Sequence, residues 1–267
     1  MPLLSINKLN YKIGDKKTFN DFNFDIDYNS FISIIAPNQS GKTLLTKLLC
    51  AIIPTFDMCY LDGISLNKEN VLYYIKKIGI VTNDFRNPFL HKKVKDELIY
   101  PLSNLGYSSY KINNIIYDKM HYFDIDYLID KNISSLNKSE KSKLKIVLAL
   151  LHNPKLLVLD DAFNDMNSSD QIFMINKLKE LVSDDLSILN ITSKLDTIYN
   201  SDIIYIMNNY KIEKSFTLEK LFDNSSYLTK IGLEIPFIVD LSIKLKLYGV
   251  IDKIYFNIEE LGEELWK

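Results

Sequence analysis

The sequence predicts an α/β fold built around a phosphate-binding loop, with an antiparallel β subdomain before it, a helical insertion within the sheet and a helical extension at the C-terminal end. Three observations predict this. A short apolar run, 31–35, leads into APNQSGKT (36–43), and helical spacing follows in Leu44, Leu45, Leu48, Leu49 and Ile52. Strand, tight loop and helix is the context that a phosphate-binding loop requires. Runs with the texture of buried parallel strands recur at 78–81, 156–159, 188–191 and 203–207, and a long helical stretch separates the first two.

Composition bounds the function. The chain has 267 residues, 47% hydrophobic and 25% charged, as in a globular protein. A net charge of -2 and the absence of a basic cluster argue against nucleic acid as a partner, because binding a phosphate backbone needs a strong basic excess. Two cysteines are too few for a disulfide framework and point to a reducing compartment. No apolar run approaches the roughly 18 residues of a membrane helix, so a cytoplasmic location is expected. Only 8 glycines occur, below half the usual frequency of about 7%.

In chain order, 3–9 and 19–27 alternate apolar with polar residues, most clearly at Phe22, Phe24 and Ile26, and read as strands with one wet face. The loop helix comes next, then strands at 58–61 and 78–81. From Lys93 to Leu151 the pattern is helical, through Val94, Leu98, Ile115, Ile116, Ile146, Leu148 and Leu150. The strands at 156–159, 188–191 and 203–207 are expected to alternate with helices, and 208–212 to form a turn and short strand. Beyond Thr217 helical spacing returns at Ile238, Leu241, Ile243, Leu245 and Leu247, then Ile258, Leu261 and Leu265. The expected division is 1–215 for the nucleotide-binding unit, with its helical subdomain at about 93–151, and 216–267 for the extension.

The loop carries the first chemistry. The GxxxxGK[ST] pattern surrounds phosphate oxygens with backbone amides and a helix N-terminus, sends a lysine to the terminal phosphates and uses a hydroxyl to hold magnesium. Gly41, Lys42 and Thr43 fit, with Asn38, Gln39 and Ser40 completing the cradle, whereas Ala36 stands where the pattern has glycine. A chance SGKT on an ordinary turn is the competing reading. The acid-ended strand LLVLDD (156–161) makes chance less plausible, since Asp160 can face a magnesium ion and Asp161 a water beside the terminal phosphate.

With both motifs in place, the sequence resembles the ATP-binding cassette (ABC) ATPases. The resemblance implies a P-loop NTPase fold of the ABC nucleotide-binding type, with ATP and Mg2+ as cofactors. It places Tyr11 as the adenine-stacking aromatic and Asn83, in IGIVTND, where the family has a glutamine that touches magnesium. It sets LNKSE, with Asn137, Lys138, Ser139 and Glu140, in the place of the LSGGQ signature that grips the nucleotide of an opposite subunit. A local reading of LNKSE suffices equally: Asn137 caps a helix and Glu140 completes the box. Asp161 replaces the family's catalytic glutamate and is one methylene shorter. Ser193, in ITSK, replaces its switch histidine. His91, His121 and His152 read as surface residues that cannot substitute for it.

Three further segments resemble the ATPases of energy-coupling factor (ECF) transporters: DGISLNKENVLYYIKKIGIV, VKDELIYPLSNLG, and a tail in which KIGLEIPFIVDLSIKLK precedes NIEELGEEL. This implies a peripheral subunit on the cytoplasmic face of the cell membrane. Its partners would be a paralogous ABC ATPase, a transmembrane coupling protein and a substrate-capture membrane protein. The weakened motifs imply the degenerate half of a heterodimer, with a non-catalytic pseudo-ATPase as the alternative and a soluble cassette protein in repair or translation as a third reading.

Overall fold

The computed structural model describes residues 2–14, 16–53, 55–82, 89–183 and 185–266. Strands β1 (Leu4–Ile13) and β2 (Lys16–Ile26) pair antiparallel, and β4 (Cys59–Leu61) and β5 (Ile64–Ser65) extend them into a four-stranded sheet ordered β2-β1-β4-β5. The alternation seen in the sequence puts Phe22, Phe24 and Ile26 on its buried face.

Six strands make the second sheet: β3 (Phe31–Ile35), β6 (Ile78–Thr82), β7 (Leu156–Asp160), β8 (Ser187–Thr192), β9 (Ile203–Asn208) and β10 (Lys211–Phe216), ordered β10-β9-β3-β8-β7-β6. All neighbours are parallel except β9 and β10. β3, β7 and β8 are buried throughout, which explains why they read as unbroken apolar runs. Each Leu or Ile buried there contributes roughly 1.5–3 kcal/mol.

Helix α1 (Lys42–Leu49) follows the loop, and α2 (Val71–Lys76) precedes β6. The insertion between β6 and β7 holds α3 (Val94–Asn104), α4 (Ser109–Tyr122) and α5 (Lys138–Leu150). It shares a core with α6 (Ser168–Leu181) through Leu98, Ile116, Val147 and Met174. Gly79 in β6 lets α5 approach, because a side chain there would strike the carbonyl of Ala149. One expectation fails: no α-helix joins β8 to β9. Residues 193–202 need only cross over β3, and they carry a single 3-10 turn at Leu195–Thr197.

The tail forms α7 (Leu218–Asp223), α8 (Ser225–Lys230), α9 (Phe237–Leu247) and α10 (Ile258–Leu265). It packs on the second sheet: Leu221, Phe222, Leu228 and Val239 share a core with Ile35, Ile204 and Ile206. Cys50 and Cys59 are free and buried, and burial pushes both thiols up. Among the described residues no helix is long and apolar enough to cross a membrane.

Candidate nucleotide site

The parallel register sets the site. Thr82 aligns with Asp160, Asp160 with Ile191, and Ile35 with Thr192, so β6, β7, β8 and β3 end in one row. The loop leaves the end of β3 at that row, where open α/β sheets place their ligands. Its first residue, Ala36, is tied back to the sheet, its N–H donating to the carbonyl of Thr192 at 3.0 Å.

The loop then turns on two positive-φ residues, Gln39 (φ 64) and Gly41 (φ 104). The first is a left-handed conformation that glycine adopts at no cost and glutamine does not, so the glutamine at 39 is felt in the backbone. Ala36 does not share that conformation and tolerates its methyl group. Gly41 lies in a region that an L side chain rarely enters, which makes it the glycine the loop cannot lose.

Helix α1 starts at Lys42 with no side-chain cap and no acidic residue in its first turn. Its leading amides and the positive end of its dipole are left for an anion. Thr43 is half-buried in that first turn. Lys42 is only 7% exposed; its Nζ donates to the Ala36 carbonyl at 2.9 Å and stands 4.0 Å from Asp161 Oδ2. Burial pulls its ammonium below the ordinary value of 10.5, while Asp161 and Asp160 pull upward. Ser40 is buried with its Oγ unbonded, a situation that ordinarily costs about 1–3 kcal/mol. A buried cation, a hydroxyl in need of a partner and an uncapped helix start together fit a phosphate group.

Asp160 is buried at the end of β7. Asp161, next along the chain, takes φ 51, and its N–H donates to the Ile191 carbonyl at 2.9 Å. Its Oδ1 accepts from the Ser193 N–H at 3.3 Å. Asp161 and Ser193 therefore meet. Asn38 and Ser193 also line one cavity of about 510 Å³, to which Gly232, Glu234 and Phe237 of the tail contribute.

The other predicted residues are placed as follows. Tyr11 lies on β1 opposite Phe19 and is half-buried. Asn83 lies outside the described residues. Asn137 to Glu140 begin α5 as a complete capping box: Glu140 N–H donates to Asn137 Oδ1 at 2.9 Å, and Asn137 N–H to Glu140 Oε2 at 2.8 Å. The Ser139 hydroxyl donates to Asp170 at the start of α6, and Lys138 is exposed. Among the described residues no three His, Cys, Asp or Glu side chains gather as a metal site. A magnesium ion held by Thr43 and Asp160 would need no such cluster, because magnesium keeps waters and substrate phosphates as ligands.

His121 is exposed as expected, whereas His91 and His152 are half-buried. His91 Nδ1 lies 3.1 Å from Glu97, and His152 is held below the ordinary histidine value by burial. Sequence reasoning missed Tyr210, whose N–H donates to the Ser40 carbonyl at 3.0 Å. The turn at 208–212 was legible in Asn208-Asn209, but its seat beside the loop was not.

Residues 19–164, more than half of the chain, match the family described as ABC transporter. The chain belongs to the ABC transporter family. Its fold is the P-loop NTPase fold of ABC nucleotide-binding domains. Among solved structures it resembles cbiO1 from Clostridium perfringens, described as part of the ABC transporter complex cbiONQ. That likeness has a TM-score of 0.77 at 20% identity and covers 90% of this chain and 98% of that one. It also resembles the ATP-binding cassette MJ0796 in a post-hydrolysis dimer bound to ADP and Pi, with a TM-score of 0.70 at 20% identity over 80% of this chain and 98% of that one.

Curated relatives of this ABC protein include the ECF transporter ATP-binding protein EcfA of Pediococcus pentosaceus, 26% identical over 99% of this chain and 96% of the relative. EcfA1 of Mycoplasma pneumoniae is 27% identical over 92% and 90%. The match to the first runs through the tail as well as the cassette.

Proposed function

We propose that this chain is the ATP-binding subunit of an ECF-type ABC importer. It binds Mg-ATP and couples hydrolysis to uptake of a micronutrient, as the degenerate half of an ATPase heterodimer. One observation carries the reading: Lys42, buried at the start of an acid-free helix turn, is poised 4.0 Å from the carboxylate that ends LLVLDD. Lys42, Ser40 and the amides of 38–43 hold the phosphates, Thr43 and Asp160 the magnesium, and Tyr11 and Asn83 complete the nucleotide contacts. Asp161 and Ser193 orient the attacking water weakly.

The full-length likeness to ECF ATP-binding proteins supports the assembly: a paralogous ATPase, a transmembrane coupling protein and a substrate-capture membrane protein, with this chain peripheral at the cytoplasmic face and 216–267 serving as an extension of the cassette. The test is Mg-ATP binding by the purified chain and hydrolysis by the reconstituted heterodimer. A Lys42→Ala chain should lose the nucleotide-induced thermal shift, which is about 2.7 kcal/mol of stabilisation at a hundredfold excess over Kd. If wild type shows no such shift and heterodimer rates ignore the substitution, the nucleotide reading is wrong.

A second reading, a non-catalytic structural pseudo-ATPase subunit, is favoured by the α5 start, where the capping box occupies the N–H groups of Asn137 and Glu140. Mg-ATP binding without any contribution to turnover would select it.

A further inference from the structure

Strands β9 and β10 are joined through Asn209 (φ 46) and Tyr210 (φ 63), two successive left-handed residues between the paired Asn208 and Lys211. That is the geometry of a tight two-residue hairpin turn, whose second position ordinarily belongs to glycine. A bulky residue there is uncommon, and such strain persists where the surroundings hold it for a purpose. The surroundings here are the phosphate loop. A carbon added to Gly41 would fall 2.6 Å from Tyr210 Cε1 and 3.3 Å from Cγ, so the ring lies flush on the face that Gly41 leaves bare. The Tyr210 N–H donates to the Ser40 carbonyl at 3.0 Å, and Phe19 meets the ring edge-on with centroids 5.4 Å apart.

We infer that Tyr210 is a positioning residue for nucleotide binding: its ring, backed by Phe19, presses the loop into the form in which the amides around Gly41 and the Lys42 ammonium converge on phosphate. A glycine at 210 would make the turn without strain but would leave Gly41 uncovered. In a loop whose residue 39 already holds a left-handed conformation that glutamine disfavours, an outside brace keeps that conformation in place. The inference rests on the nucleotide reading given above.

The test compares Mg-ATP binding by calorimetry in the full chain as wild type, Tyr210→Phe and Tyr210→Gly, with apo melting measured alongside. Tyr210→Gly should weaken Mg-ATP about tenfold, whereas Tyr210→Phe, which keeps the ring, should stay within about twofold. The loss should not track melting temperature, since glycine relieves the turn. Amide exchange at 39–44 should quicken in Tyr210→Gly while β7 and β8 keep their protection; if the glycine variant does not fold, Tyr210→Asn, which tolerates the turn, takes its place in both measurements. Wild-type affinity in the ring-less variant would overturn the inference and leave the nucleotide reading standing. Exchange that quickens uniformly would also overturn it, leaving a packing residue only. A wild-type chain that binds no Mg-ATP would overturn both.

Discussion

Lys42 Nζ and Asp161 Oδ2 lie 4.0 Å apart, while the other oxygen of the same carboxylate accepts the Ser193 N–H at 3.3 Å. One short side chain thus joins the phosphate loop, the end of β7 and the segment after β8. Its backbone explains its identity: at φ 51 an aspartate is tolerated more readily than a longer residue. The position favours holding this network over reaching further toward a substrate water.

Asp161→Glu should therefore trade stability for rate. The added methylene carries the carboxylate outward, and hydrolysis by the proposed heterodimer should rise about tenfold, within the roughly hundredfold that a displacement of about 1 Å can cost. The left-handed backbone should cost about 1 kcal/mol in urea melts. Asp161→Asn, which removes the charge and keeps the shape, should lower hydrolysis by about hundredfold while leaving Mg-ATP affinity nearly intact. An asparagine variant that hydrolyses at the wild-type rate would remove Asp161 from the chemistry.

Asp170 predicts a stability effect at the start of α5. Its carboxylate accepts from the Ser139 hydroxyl, from Lys143 Nζ at 2.5 Å and from Asn167 Nδ2 at 2.9 Å, and Lys143 is only 12% exposed. Burial raises its carboxyl, but these three donors outweigh it and hold the group below the ordinary range. Asp170→Ala strands a nearly buried ammonium and should cost about 2–3 kcal/mol. The Lys244–Asp240 pair is a control, because both groups are well exposed. Asp240→Asn should change stability by less than about 0.5 kcal/mol. Equal losses in chemical denaturation would mean that the α5–α6 link carries no special weight.

The fold was legible because its strands are of two visible kinds. β7 and β8, buried on both faces, read as continuous apolar runs, and β2, wet on one face, alternates. The loop, Asp160 and Asp161 were legible because each sits at a strand end with a fixed offset from the apolar run. Tyr210 was not, since its role comes from β9 lying beside β3, a neighbour relation that no local pattern encodes. The β8–β9 connection was misjudged for the same reason: whether strands are separated by a helix or a short crossover depends on sheet order. At α5 the local pattern was sufficient, because a capping box is closed by residues three apart.

That box gives a pH-dependent prediction. The Glu140 carboxyl is held below its ordinary value of 4.5, first by the N–H of Asn137 and then by Lys131, against the opposing effect of burial. A carboxyl depressed in the folded state contributes stability that is fully present above its unfolded value and is lost as pH falls through the folded one. Asn137→Ala should cost about 1 kcal/mol near neutral pH. Glu140→Gln keeps an acceptor for the Asn137 N–H but cannot titrate, so it should be less stable than wild type near neutrality, by an amount that shrinks between about pH 5 and pH 3. Urea melts across that range measure the difference. A constant gap would show that the charge of Glu140 adds nothing to the cap, and that the helix start is held by Asn137 and packing alone.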